Sequence, residues 1–118
     1  MNDRPEFRVE TDHPGRGQVV VAVSGEIDLY TSTRLRDTLD ELDIASVRRL
    51  VIDLSDVDFI DSTGLGLLVA TARRLPIGSP FVVVCRTEKV REVLLMTGLD
   101  RIFTIYATRD EAVEAHLS

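Results

Sequence analysis

The 118 residues of this chain suffice for one domain with a working core, and 44% of them are hydrophobic, which is typical of an ordinary globular protein. The net charge of −6 argues against a nucleic-acid groove, because phosphate-backbone binding needs a basic face, and favours basic protein partners. A single cysteine, Cys85, excludes a disulfide framework and a thiolate metal cluster, and no apolar run suggests a signal peptide or a membrane span. We therefore expect one cytoplasmic domain over residues 1–118, with frayed residues 1–5.

The first predicted elements are two strands joined as an antiparallel hairpin. Phe7 to Thr11 is a short candidate strand, and residues 12–17 contain Pro and Gly residues that favour a turn. The valine-rich stretch from Gln18 to Ser24 has the composition of a buried strand.

A loop and an amphipathic helix are predicted next. The loop runs from Gly25 to Tyr30, and Asp28 within it is either a turn former or a contact residue. Thr31 or Ser32 is expected to cap the helix that follows, which carries leucines on one face.

The middle of the chain predicts a strand, an acidic loop and a second helix. The strand is Leu50 to Leu54, and the acidic loop leads to Asp61. From Ser62 to Leu75 the apolar residues recur at helical spacing on a wide stripe, which indicates a largely buried helix.

The last third alternates strands and helices again. Phe81 to Cys85 is predicted as an interior strand, with Cys85 a buried, inert thiol, and Thr87 as the cap of a helix that ends near a left-handed Gly98. Ile102 to Tyr106 is the last predicted strand, and residues 108–111 have the spacing of a capping box that begins a final helix.

This order of elements predicts the α/β class. Helices follow the later strands in turn, so right-handed crossovers and partly parallel pairing are expected. The predicted fold is a mixed sheet of four to five strands with about four helices packed against it.

Ser62 is the most distinctive candidate site because it stands where a strand-to-helix connection ends. A helix N-terminus favours an anion, so a phosphate on this hydroxyl would be tolerated. From spacing alone, an ordinary N-cap formed by the Asp61-Ser62-Thr63 run is the favoured interpretation. Gly64 and Gly66 each weaken a helix by about 0.5–1 kcal/mol relative to alanine, and they make sense where another backbone approaches the helix start closely.

The same region fits no catalytic or metal chemistry well. A phosphoacceptor aspartate at Asp53 would require a lysine after a later strand, and the only lysine, Lys89, falls inside a predicted helix. A serine nucleophile at Ser62 lacks the glycine-flanked elbow, and both histidines, His13 and His116, lie near the chain ends. The acidic residues do not follow the ligand pattern of a calcium loop, so a solvated loop is expected. We therefore predict that the chain is not an enzyme and binds neither a metal nor a cofactor.

Three sequence motifs resemble the STAS domain, and within it the stand-alone anti-sigma factor antagonists. These are the Gly-Glu-Ile-Asp sequence at residues 25–28, the segment 54–66 around Asp-Ser-Thr-Gly, and the Gly-Leu element within residues 96–103. The resemblance covers the whole chain, and its second motif is the specific one.

The resemblance implies that Ser62 is the residue phosphorylated and that the kinase is itself an anti-sigma factor. The unphosphorylated protein would bind this kinase and release a sigma factor, and a metal-dependent serine/threonine phosphatase would restore it. Asp28 and the Ser62 helix both follow strand ends, so we expect one partner-binding face. The residues assigned to this face are Gly25, Glu26, Asp28, Asp61, Ser62, Thr63, Gly64 and Gly66. The alternative is a non-switching scaffold or adaptor subunit of a larger sensory or transport assembly, a role less favoured because the sequence shows no attached membrane segment or sensor domain.

Overall fold

The strands form one five-stranded mixed sheet, and helices pack on both of its faces. The computed structural model describes residues 6–117, so the expectation for residues 1–5 lies outside the described part of the chain. The strands are β1 (Arg8–Gly15), β2 (Gln18–Ile27), β3 (Arg49–Ile60), β4 (Phe81–Val84) and β5 (Thr104–Tyr106). The α-helices are α1 (Thr31–Asp40), α2 (Ser62–Arg74), α3 (Glu88–Met96) and α4 (Arg109–Leu117).

The strands are arranged in chain order across the sheet, β1-β2-β3-β4-β5. β1 pairs antiparallel with β2, as the predicted hairpin requires, and the other pairs are parallel. The predicted α/β class and mixed sheet are therefore confirmed.

The two faces of the sheet are covered unequally. One face packs against α1, α2 and α3 and holds most of the core, including Leu35, Leu68 and Leu94 from those helices. The other face holds a small cluster in which Ala112 of α4 packs against valines of β2, β3 and β4. No helix in residues 6–117 has the length and apolar character needed to cross a membrane.

The central strands are longer than the sequence predicts. β2 continues to Ile27, so the first half of the loop predicted at Gly25 to Tyr30 is strand. β3 continues to Ile60, so the loop predicted after Leu54 is wrong over most of its length. The polar ends of the two strands pair with each other, with register shifts between Ala22 and Ser24 and between Gly25 and Glu26. This pairing satisfies backbone groups that a loop would leave to water.

The other boundary errors are smaller. β1 runs from Arg8 to Gly15 rather than from Phe7 to Thr11, which leaves a two-residue turn with Gly17 at a φ of 68°. Cys85 follows β4 rather than ending it, and β5 begins at Thr104. Gly98 has the predicted left-handed conformation, with a φ of 76°.

A buried carboxylate ties α4 to the second face of the sheet. One oxygen of Asp53 accepts hydrogen bonds from the backbone N–H and the hydroxyl of Ser55, both at 2.9 Å or less. The other oxygen is 2.9 Å from both Nε and an Nη of Arg109 on α4. These bonds give Asp53 a structural role, because they join β3 to α4.

Replacing Asp53 with alanine is therefore expected to destabilise the fold. The change leaves Arg109 and the Ser55 groups without their acceptor, and we expect a loss of about 2–3 kcal/mol in the free energy of unfolding. The matched control is Asp56→Ala, since that carboxylate is exposed and lies 3.8 Å from Arg86. Urea denaturation should separate the two variants, and equal stabilities would contradict this role for Asp53.

Candidate functional site

The structure brings the Asp28 segment and the start of α2 together at one edge of the sheet. Ile27 and Ile60 are paired as the last residues of two parallel strands. The backbone N–H of Asp61 then donates to the carbonyl of Ile27 at 3.0 Å. Asp28 and Ser62 therefore begin neighbouring connections.

Ser62 is the first residue of α2, and its side chain is exposed. The helix is capped by Asp61, whose Oδ1 accepts from the backbone N–H of Gly64 at 3.1 Å. Of the residues favoured as a cap, it is thus Asp61 rather than Ser62 or Thr63 that makes this bond. The Ser62 hydroxyl has no hydrogen-bond partner among the described residues, so it is available to an incoming group.

The two glycines of α2 have different explanations. A Cβ on Gly64 would lie 2.6 Å from Cγ2 of Ile27 and 2.8 Å from Cγ1 of Ile60, so this glycine lets the helix start pack on the strand ends. The close neighbours are side chains of the same chain rather than the second backbone that the sequence suggested. A Cβ on Gly66 would meet nothing within 4 Å. No contact within the described structure therefore requires a glycine at position 66.

Glycine is required at position 25 by its backbone conformation and by the close approach of the backbone that precedes β1. Its φ is +100°, and a Cβ there would lie 3.1 Å from Cα of Phe7. Residues that carry a side chain rarely adopt this backbone conformation, so glycine at position 25 allows the register shift in β2.

Asp28 forms a turn that begins α1. Its Oδ1 accepts the backbone N–H groups of Tyr30 and Thr31, each at 2.9 Å. The hydroxyl of Thr31 donates to the carbonyl of Glu26 at 2.7 Å and accepts from the N–H of Asp28 at 2.8 Å. The prediction that Thr31 or Ser32 caps this helix is wrong, because the carboxylate of Asp28 supplies the acceptor.

Acidic side chains dominate the edge that contains Ser62. They are contributed by the ends of β2 and β3 and by the residues that follow them, namely Glu26, Asp28, Asp56, Asp58 and Asp61. Fewer cations follow β4 in the connection to α3 and its first turn, namely Arg86, Lys89 and Arg91, and Nζ of Lys89 lies 6.0 Å from the ring centroid of Phe59. This balance favours a partner surface that carries cationic side chains.

Three large apolar side chains that the sequence did not single out lie at this edge. Leu29 is 60% exposed, Tyr30 is 79% exposed, and Phe59 is 39% exposed. Their only sequence signal was apolar character inside segments predicted as loops.

The remaining candidate groups lie away from this edge or are buried. Cys85 is buried, and this burial raises the pKa of its thiol, which fits the predicted inert role. Among residues 6–115, no group of three or more His, Cys, Asp or Glu side chains is placed to hold a metal ion. His13 is exposed in β1, and the side chain of His116 lies outside the described part of the structure.

Comparisons with known proteins agree with the fold. A family model described as the STAS domain matches residues 6–112. The anti-sigma-F factor antagonist RsfB of Mycobacterium tuberculosis is 36% identical over 102 residues, which cover 86% of this chain and 82% of that protein. The crystal structure of an anti-sigma factor antagonist from Mycobacterium paratuberculosis is 42% identical, with a TM-score of 0.82, and the match covers 93% of this chain and 92% of that one.

A more distant match extends to the fold alone. The phosphorylated form of the Bacillus cell fate determinant SpoIIAA has a TM-score of 0.71 and 22% identity. The match covers 92% of this chain and 98% of that chain.

Proposed function

Because the chain belongs to the STAS-domain family of anti-sigma factor antagonists, we propose that it binds an anti-sigma factor kinase and so releases a sigma factor. The unphosphorylated protein is the binding form, and phosphorylation of Ser62 switches it off. A metal-dependent serine/threonine phosphatase returns it to the binding form. This role places the protein in the bacterial cytoplasm, as a regulator of transcription under stress and a substrate of other enzymes rather than an enzyme itself.

The observation that carries the proposal is the exposed Ser62 hydroxyl at the N-terminus of α2. Asp61 caps α2 by accepting the N–H of Gly64, so the Ser62 hydroxyl makes no cap bond that has to break before its oxygen attacks the γ-phosphate of ATP and ADP leaves. The N–H groups of Ser62 and Thr63 at the helix start have no acceptor one turn earlier, and they favour an anion there.

The proposed partner-binding face surrounds this hydroxyl. It contains the eight residues assigned from the sequence, which are Gly25, Glu26, Asp28, Asp61, Ser62, Thr63, Gly64 and Gly66. Gly25 and Gly64 support this face indirectly. Each allows close packing of a segment that contributes to the face, the end of β2 for Gly25 and the start of α2 for Gly64. Gly66 lies one helical turn after Ser62 on the same side of α2, where a partner can approach the backbone closely.

Phosphopeptide mapping tests the assignment of Ser62. The anti-sigma factor kinases encoded in the source genome are each incubated with the protein and ATP. We expect one of them to place a single phosphate on Ser62, and Ser62→Ala to abolish the reaction. The matched controls are Thr63→Ala and Ser55→Ala, which should remain substrates. Phosphate found on Thr63 or Ser55 in the wild-type protein would contradict the assignment.

A further inference from the structure

Two neighbouring apolar side chains project from the loop beside Ser62. Leu29 and Tyr30 are 60% and 79% exposed, and they stand between the end of β2 and the start of α1. Residue 27 is hydrogen-bonded to residue 61, so this loop is continuous with the surface that contains Ser62. Exposed large apolar side chains next to a functional surface are typical of protein-binding sites.

The loop holds Tyr30 in a fixed position. The N–H of Tyr30 donates to Oδ1 of Asp28 at 2.9 Å. The carbonyl of Tyr30 accepts from the hydroxyl of Thr33 at 2.7 Å and from its N–H at 3.3 Å. Binding through a side chain on such a fixed backbone loses less conformational entropy than binding through a mobile loop.

Charge restricts the kind of surface that fits these side chains. Asp58 and Asp61 lie around the same edge, so a partner that covers Leu29 and Tyr30 also faces carboxylates. Cationic side chains on the partner would neutralise them, whereas a wholly apolar or acidic surface would not.

We propose that Leu29 and Tyr30 are the apolar anchors of the interface with the anti-sigma factor kinase. They enter an apolar pocket of the kinase that is bordered by Arg or Lys side chains. Asp28 is a positioning residue, because it fixes the backbone turn that presents both anchors. This inference rests on the proposed function, since it names how the same partner is recognised.

Titration calorimetry with the unphosphorylated protein tests the anchors. Tyr30→Ala is expected to weaken binding to the kinase that phosphorylates Ser62 by about thirtyfold or more, as interface anchors do, and Leu29→Ala by about tenfold. The matched controls are Met96→Ala and Ile77→Ala, because the side chain of Met96 is 85% exposed and that of Ile77 is fully exposed. Met96 is the last residue of α3, and Ile77 follows α2. Both helices run from the edge that contains Ser62 to the opposite edge of the sheet, so these variants should bind like the wild-type protein.

A second pair of variants tests the role of Asp28. Asp28→Asn keeps the side-chain oxygen that accepts from Tyr30 and Thr31 but removes the charge, whereas Asp28→Ala removes both. We expect Asp28→Ala to weaken binding about tenfold and Asp28→Asn to restore most of the affinity. Equal losses in the two variants would show that the charge itself contacts the kinase and would overturn the positioning role.

The outcomes separate this inference from the proposed function. If the wild-type protein binds the kinase and Tyr30→Ala binds it equally well with an unchanged melting curve, the anchors are wrong and the proposed function stands. If the wild-type protein neither binds an anti-sigma factor kinase nor is phosphorylated on Ser62, both are overturned.

Discussion

Phosphorylation of Ser62 is expected to weaken binding to the anti-sigma factor kinase by about two to three powers of ten, which corresponds to about 3–4 kcal/mol. The phosphate adds about −1.5 to −2 charges to an edge that already carries Asp28, Asp58 and Asp61. A kinase surface shaped for a neutral hydroxyl would then face both a bulky group and an excess of negative charge.

The same modification is expected to leave the fold intact. The Ser62 hydroxyl makes no cap bond that a phosphate would remove, and the bond from Gly64 to Asp61 remains available. The N-terminus of α2 favours an anion, although the nearby Asp61 carboxylate offsets part of this gain. We therefore expect switching to proceed by blocking the interface rather than by unfolding the domain.

Calorimetry and thermal melting of the two forms measure both halves of this prediction. The phosphorylated and unphosphorylated proteins should have closely similar circular dichroism spectra and melting temperatures while differing in affinity. Ser62→Asp should share part of the binding defect because it carries less charge, and Ser62→Ala should still bind. A phosphoprotein that melts many degrees lower, or one that binds the kinase equally well, would contradict the blocking mechanism.

Alanine at the two glycines of α2 is expected to change stability in opposite directions. Gly64→Ala forces a methyl group against Cγ atoms of Ile27 and Ile60 that lie under 3.0 Å away, and overpacking of this kind costs about 1–3 kcal/mol. Gly66→Ala adds a methyl group in open space and removes a flexible residue from a helix, which should stabilise the fold by about 0.5–1 kcal/mol.

The binding data for the same pair connect stability with function. Gly66 shares the exposed side of α2 with Ser62, so Gly66→Ala should bind the kinase more weakly although it is the more stable protein. Urea denaturation and calorimetry on both variants check the prediction. A stabilised Gly64→Ala protein would contradict the packing of α2 on the strand ends, and undiminished kinase affinity in Gly66→Ala would remove Gly66 from the proposed interface.

The order of elements and the position of Ser62 at a helix start could be predicted because both depend on local patterns. Apolar periodicity indicated α2, and the continuous valine runs indicated β2 and β4. The lengths of β2 and β3 could not be predicted from the sequence, because the polar residues at their ends have the composition of loops. Only the partner strand shows that residues such as Glu26 and Phe59 are paired.

Two features of the site also depend on backbone geometry that composition does not reveal. Asp61 and Ser62 are both common cap residues, and the extended conformation of Asp61 makes it the cap. The exposure of Leu29 and Tyr30 follows from the turn at Asp28, which the sequence left open between a turn former and a contact residue. Its turn-forming role is confirmed, and a direct contact with a partner stays a prediction.

The most direct test of the antagonist role measures release of the sigma factor. A fluorescently labelled sigma factor is bound to its anti-sigma factor kinase, and its anisotropy is followed as this protein is added. The unphosphorylated protein should lower the anisotropy to the value of the free sigma factor, whereas the protein phosphorylated on Ser62 should leave the complex intact at the same concentration. Equal release by both forms, or release by neither, would contradict the account.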